Sequence, residues 1–252
     1  VKIVNPDLSV WVVTGDGDGL SIGGNHFMHV LRRNMDINIL MFNNRIYGLT
    51  KGQYSPTSEQ GKKTKASPYG SIDYPLNPPS LALGAQATFV ARTIDRWQKH
   101  MAAMLERSYN HDGGSYIEIY QNCNIFNDGA FEEYTGAEKF SNVIELKHGE
   151  PMVFAQGTKG IKLDGFKPKV VDMEKNSIDD ILIHNETDLD LAHIIANWTS
   201  HPTLPEPIGV IYCIDKTTYN QDIVNQIESA IKAKGPGNVQ DLLNSGDTWV
   251  VD

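Results

Sequence analysis

Hydrophobic residues fall along the first half of the chain in two alternating rhythms. Residues 10–14 (VWVVT), 37–42 (INILMF), 88–91 (TFVA) and 116–120 (YIEIY) are short apolar runs of strand length, the first two read as buried strands. Between them, residues 24–34 put Phe27, Val30 and Leu31 on one helical face. Residues 95–110 do the same with Trp97, Met101, Met104 and Leu105, and Gly113-Gly114 ends that helix. A shorter helix is expected over 81–87. Strand, helix and strand within about 30 residues make a βαβ unit with parallel strands. The expected fold class is therefore α/β, a parallel sheet with helices on both faces.

The rhythm changes after residue 128. Residues 143–146 and 152–155 flank Lys147-His-Gly-Glu150 and read as a hairpin. A helix is expected over 188–198, a strand over 208–212 and an amphipathic helix over 224–234. This divides the chain into a domain over 1–128 and a smaller α+β C-terminal extension over 129–252. The first strand begins so near Val1 that further residues upstream are expected to complete the domain.

The strand ends carry the candidate chemistry. The first is followed by Gly15-Asp-Gly-Asp-Gly19, read as a tight turn, and the second by Asn43-Asn44; Thr93 and Cys123 also follow strands. Ligands of open α/β sheets bind outside the carboxyl ends of the strands, so these segments point to one shared site. Asp16 and Asn44 lie 28 positions apart. Mg²⁺ wants six oxygen ligands at about 2.0–2.1 Å. Asp16 offers a carboxylate, Asn44 an amide oxygen and Ile46 a backbone carbonyl, leaving room for two diphosphate oxygens and a water. The glycines admit the phosphates, and the following helix points its N–H groups toward them. Gly-Asp-Gly alone is a common turn and Asn-Asn a common loop start; it is the pair at this spacing that carries weight. The connection over 43–79 is polar and long for a compact domain, which marks it as functional or disordered.

Composition narrows the class. The 252 residues carry 22 Lys and Arg against 31 Asp and Glu, a net charge of −9. That acidity excludes a general nucleic-acid binder and docking on an anionic membrane. No apolar run approaches the length of a membrane span. Two cysteines, Cys123 and Cys213, are too few for a disulfide framework and suit a reducing cytoplasmic setting. Several features take ordinary readings: His26 and His29 as helix-packing residues or supports behind a ligand rather than metal ligands, Gly61-Lys-Lys-Thr64 as no P-loop, Lys62 to Lys65 as a solvated face, and Asn185 and Asn197 as chance glycosylation matches.

The strings WVVTGDGDGLSIGGNHFMHVLRRN and NNRIYGLTKGQYSPTS, with PEPIGVIY near the end, resemble the β-subunits of two-subunit 2-oxoacid:ferredoxin oxidoreductases. The resemblance is strong over 1–128 and weaker beyond. It implies the thiamin-diphosphate-binding fold, with thiamin diphosphate, Mg²⁺ and a 4Fe–4S cluster as cofactors. Asp16, Asn44 and Ile46 match the Mg²⁺ ligands; Gly17, Asp18, Gly48 and Leu49 match contacts to thiamin diphosphate. Lys51 matches the lysine that meets the substrate carboxylate. Cys123 matches one of four cluster cysteines, and the other three have no counterpart here. The implied reaction is oxidative decarboxylation of a 2-oxoacid, best 2-oxoglutarate, to its acyl-CoA, succinyl-CoA, with electrons passed to ferredoxin. The implied partner is an α-subunit that brings the pyrimidine-binding domain, in a heterodimer. The alternatives are a non-redox thiamin enzyme, decarboxylase or transketolase-like, and a non-catalytic assembly subunit.

Overall fold

The computed structural model describes residues 1–199 and 201–251. A six-stranded sheet organises the chain. Its first strand, β1 (Trp11–Gly15), leads through helices α1 (Asp16–Leu20) and α2 (Gly24–Arg32) into β2 (Asn38–Asn43). A long connection reaches α3 (Pro78–Gly84), then β3 (Phe89–Ile94), α4 (Gln98–Tyr109) and β4 (Ser115–Tyr120). After α5 (Lys139–Asn142) come β5 (Val143–Leu146), β6 (Val153–Phe154), β7 (Lys159–Asp164) and β8 (Lys167–Asp172). Helix α6 (Leu189–Asn197), strand β9 (Glu206–Cys213) and helices α7 (Tyr219–Lys234) and α8 (Val239–Leu243) complete the order.

The sheet order is β1-β2-β4-β3-β9-β5. The first four strands are mutually parallel, as expected from the βαβ pattern; β9 runs antiparallel to β3 and carries β5 parallel to itself. The sheet is therefore mixed, and strands from both sides of residue 128 share it. Period-two alternation builds two cores. Ile39, Met41, Val90, Tyr116 and Ile211 face Phe27 and Leu31 of α2, Ala82 and Leu83 of α3, and Leu191 and Ile195 of α6. On the opposite face Phe89, Ala91, Ile117, Ile119 and Val210 meet Met101, Met104 and Leu105 of α4. Asn77 caps α3 by accepting from the Ser80 N–H at 3.1 Å, and Pro78 and Pro79 fill its first turn, so this helix starts earlier than the apolar pattern suggests.

Three sequence expectations are corrected. The segment after β1 is a helical turn, α1, rather than a loop. Strand β1 is no buried strand but the sheet edge, with Val12 41% and Val13 65% exposed. The hairpin expected over 143–155 does not form: β5 joins the main sheet, while β6 starts a separate antiparallel sheet β6-β7-β8. The hairpin instead lies one step later, between β7 and β8, where Gly165 takes φ 62°. Gly165-Phe166 is the two-residue loop between the paired Asp164 and Lys167, with glycine at the first central position as a type II′ turn prefers. Helix α7 is amphipathic as expected, yet Val224, Ile227 and Ile231 on it are exposed. No helix among the described residues is long and apolar enough to cross a membrane.

Candidate functional site

The tips of β1 and β2 are neighbours, and the next residues meet there. Asp16 opens α1 and is 1% exposed. Its Oδ2 accepts hydrogen bonds from Ser55 Oγ at 2.5 Å and Thr57 Oγ1 at 2.6 Å. Among the described residues no side chain donates to its Oδ1, and the Asn44 N–H approaches that oxygen at 3.4 Å. The carboxylate thus has one satisfied oxygen and one spare. Burial pushes the Asp16 carboxyl above the usual range, partly opposed by the hydrogen bonds from Ser55, Thr57 and Asn44.

The spare oxygen faces Asn44. The amide atom placed there as oxygen lies 3.3 Å from Asp16 Oδ1 and 2.9 Å from the Ile46 carbonyl oxygen. Three acceptors facing one another repel unless a nitrogen or a cation intervenes. With the amide turned over, its nitrogen would donate to both neighbours. With a divalent ion, all three present oxygens. The edge of an octahedron with bonds of about 2.0–2.1 Å is about 2.9 Å, so the spacing suits adjacent Mg²⁺ ligands. The donor set, one carboxylate, one amide and one carbonyl, fits a hard cation. It includes no thiolate or imidazole, the donors a softer ion prefers, and no cluster of three or more His, Cys, Asp and Glu placed for a metal occurs among the described residues.

The turn between the two ligand candidates is strained and held from several sides. Arg45 has φ 57°, which carries the chain back so that the Ile46 carbonyl meets the Asn44 side chain. Arg45 N–H donates to Asn43 Oδ1 at 3.2 Å and its carbonyl accepts from Ser58 Oγ at 2.6 Å. Its guanidinium binds Glu59 at 2.7 Å and sits 4.2 Å over the Phe131 ring.

The remaining expected residues are placed less tightly. Gly17 is buried, but the space above it holds the Tyr47 ring: an added Cβ would lie 2.3 Å from that ring, and the Tyr47 hydroxyl donates to the Gly17 carbonyl at 2.9 Å. Glycine is required there by tyrosine, whatever approaches later. Asp18, Gly48 and Leu49 are exposed, Leu49 at 92%. Lys51 is exposed with φ 65° and borders an open cavity of about 480 Å³ with Lys63, Lys65, Ile125 and Phe126. Lys62 is not purely solvated, because its ammonium meets Asn127 Oδ1. Thr93 faces the α4 side of the sheet, 2.8 Å from His100 Nδ1, and is no part of the cluster. His26 and His29 are exposed on α2.

Cys123 is half-buried. Its carbonyl accepts from Asn127 N–H at 2.9 Å, and Asn127 Nδ2 donates to the Asn44 carbonyl at 2.9 Å, which ties the cysteine loop to the Asp16 site. Two cysteines in the sequence do not fit a four-thiolate cluster, so no electron step is assigned to one within this chain.

Sequence reasoning missed a buried polar chain behind the site. Thr57 Oγ1 lies 3.0 Å from Asn43 Oδ1, and Asn43 Nδ2 donates to Glu118 at 2.7 Å. Glu118 pairs with Arg92, its register partner across β4 and β3, at 2.7 Å. Arg92 also binds Glu206 at 2.6 Å and Thr199 at 3.0 Å, and Tyr120 donates to Glu206 at 2.8 Å. Burial pushes the Arg92 guanidinium down, but Tyr120, Glu118 and Glu206 outweigh it and hold it firmly charged. Charged residues centred in FVARTI and SYIEIY were the available signal. A cavity of about 350 Å³ opens onto Asn43, Thr57, Glu118 and Tyr120.

Comparison with known proteins identifies the family. Residues 1–119 match the model of the thiamine pyrophosphate enzyme, C-terminal TPP binding domain. The chain is 46% identical over 257 residues to 2-oxoglutarate oxidoreductase subunit KorB of Mycobacterium tuberculosis, covering 100% of this chain and 69% of that one. It is 44% identical over 128 residues to 2-oxoacid:ferredoxin oxidoreductase 1, subunit beta, of Aeropyrum pernix, covering 51% of this chain and 40% of that one. A solved structure of the 2-oxoglutarate:ferredoxin oxidoreductase from Magnetococcus marinus, with 2-oxoglutarate, coenzyme A and succinyl-CoA bound, superposes with a TM-score of 0.73 at 26% identity, covering 98% of this chain and 70% of that one. The chain thus spans about two thirds of the mycobacterial subunit and under half of the Aeropyrum one. The match along its whole length and the family model over residues 1–119 show that the chain belongs to the β-subunit family of the thiamin-dependent 2-oxoglutarate and 2-oxoacid oxidoreductases.

Proposed function

We propose that this chain is the diphosphate-anchoring β-subunit of an enzyme that oxidatively decarboxylates 2-oxoglutarate to succinyl-CoA and passes the electrons to ferredoxin. The observation that carries the reading is the convergence of Asp16 Oδ1, the Asn44 amide and the Ile46 carbonyl at adjacent strand tips. These three groups would hold Mg²⁺ and through it the diphosphate. Thiamin diphosphate, when bound, supplies the nucleophilic carbon and the electron sink for decarboxylation. Gly17, Asp18, Gly48 and Leu49 would contact it, Gly17 through its backbone, since the Tyr47 ring packs over its Cα. Lys51 makes no side-chain hydrogen bond or ion pair among the described residues, which leaves its ammonium for the carboxylate of an anionic 2-oxoacid. Cys123 stands beside this site as the candidate cluster ligand of the chain.

The α-subunit covers the site. Leu49, Tyr69, Ile72 and Tyr74, in the long loop beyond β2, are 92%, 98%, 84% and 82% exposed, a density of apolar surface that favours a protein partner. Two unpaired cysteines suit a cytoplasmic enzyme. Assay of the purified αβ complex with a panel of 2-oxoacids, coenzyme A and a redox dye tests the reading. The expected result is coenzyme A-dependent dye reduction, fastest with 2-oxoglutarate, and no turnover by the β-chain alone. Aldehyde release without dye reduction would instead identify a decarboxylase, and a silent complex with cofactor bound would identify an assembly subunit.

A further inference from the structure

We infer that Ser55 and Thr57 are positioning residues that hold the Asp16 carboxylate so that a single oxygen, Oδ1, is left for the divalent ion. The inference rests on the proposed function, since it concerns the ion that anchors the diphosphate. Both hydroxyls donate to the same oxygen, Oδ2, at 2.5 and 2.6 Å, and neither approaches Oδ1 within hydrogen-bond range. Ser55 is 2% exposed and Thr57 4%, so these are buried polar groups, and Asp16 Oδ2 is the shortest oxygen contact of each. Thr57 has one proton for two acceptors, Asp16 Oδ2 and Asn43 Oδ1 at 3.0 Å. The shorter, charged contact takes it.

The pair is itself held. Ser58 Oγ accepts from the Ser55 N–H at 2.8 Å and donates to the Arg45 carbonyl at 2.6 Å, which locks the 55–58 turn onto the loop that carries Asn44 and Ile46. Asn43 joins the same loop to the sheet: its Oδ1 accepts from the Arg45 N–H at 3.2 Å and its Nδ2 donates to Glu118, which pairs with Arg92. The carboxylate orientation is therefore set by the scaffold before any ion arrives. A carboxylate free to rotate would offer both oxygens or neither, and a small octahedral cation tolerates little misplacement. Partners one shell out from a metal ligand typically contribute 10–100-fold in metal affinity.

The test is Mn²⁺ binding to the assembled αβ complex with thiamin diphosphate, read by the EPR signal of free Mn²⁺, for wild type, Ser55→Ala, Thr57→Val, Thr57→Ser and Asp16→Ala. The expected result is about 10–100-fold weaker Mn²⁺ binding in Ser55→Ala and Thr57→Val, near-wild-type binding in Thr57→Ser, and little change in thermal midpoint without cofactor. Activity in Thr57→Val should recover toward wild type as Mn²⁺ is raised. If Ser55→Ala and Thr57→Val bind Mn²⁺ like wild type while Asp16→Ala does not, the positioning role is overturned and the ion site stands. A lowered midpoint with unchanged Mn²⁺ affinity overturns it equally. If wild type itself shows no cofactor-dependent Mn²⁺ binding, the proposed function fails first.

Discussion

Replacing Asp16 by asparagine is expected to weaken Mg²⁺-dependent thiamin diphosphate binding by more than about 100-fold, since a direct ligand should cost at least as much as its supporting partners. The same change should leave the cofactor-free protein at least as stable as wild type. Burial holds the Asp16 carboxyl above its ordinary value. For a group raised in this way, the folded state favours the protonated form. The associated stability is present below the unfolded value and lost as pH rises through the folded one. Near neutrality the ionised carboxylate is a net cost to the empty fold, and an amide removes it. A site that costs stability until its ligand binds is the pattern expected of function rather than packing. Calorimetric titration of the complex with Mg²⁺ and thiamin diphosphate, with melting curves in the absence of both, checks the two halves. A variant that binds like wild type would remove Asp16 from the ion site.

The second large effect lies away from the ligands. Arg92→Met should destabilise the protein by about 3–5 kcal/mol, because it leaves Glu118 and Glu206 buried without their cation. That is a large share of the roughly 5–15 kcal/mol that holds a typical domain together. Urea denaturation measures it. Adding Glu118→Gln and Glu206→Gln to Arg92→Met should recover much of the loss, since no unpaired charge then remains. If Arg92→Met alone unfolds at the wild-type midpoint, the buried ion pair is not what holds β3, β4 and β9 in register.

These two predictions divide along the line between what the sequence makes legible and what it hides. Asp16, Asn44 and Ile46 were readable because each follows a strand, and adjacent parallel strands bring their carboxyl ends to one edge. Ser55 and Thr57 were hidden in a loop without periodicity; only the tertiary path brings them 39 and 41 positions back to Asp16. Arg92 and Glu118 each interrupt an apolar strand, which marks them as unusual. Their pairing, however, depends on strand order, and the insertion of β4 between β2 and β3 is not written in either segment. The edge position of β1 was missed for a related reason: VWVVT has the composition of a central strand, and nothing local states that one side lacks a neighbour. The β7–β8 hairpin is legible at Gly165-Phe166, whereas the glycine-bearing turn at 147–150 opens out in the structure.

The most direct test is an anomalous difference map from crystals of the assembled enzyme grown with Mn²⁺ and thiamin diphosphate. The account predicts one strong peak within coordinating distance of one carboxylate oxygen of Asp16, the side-chain oxygen of Asn44 and the main-chain oxygen of Ile46. A peak elsewhere, or an Asn44 amide turned so that its nitrogen faces Asp16 while the cofactor is bound, would contradict it.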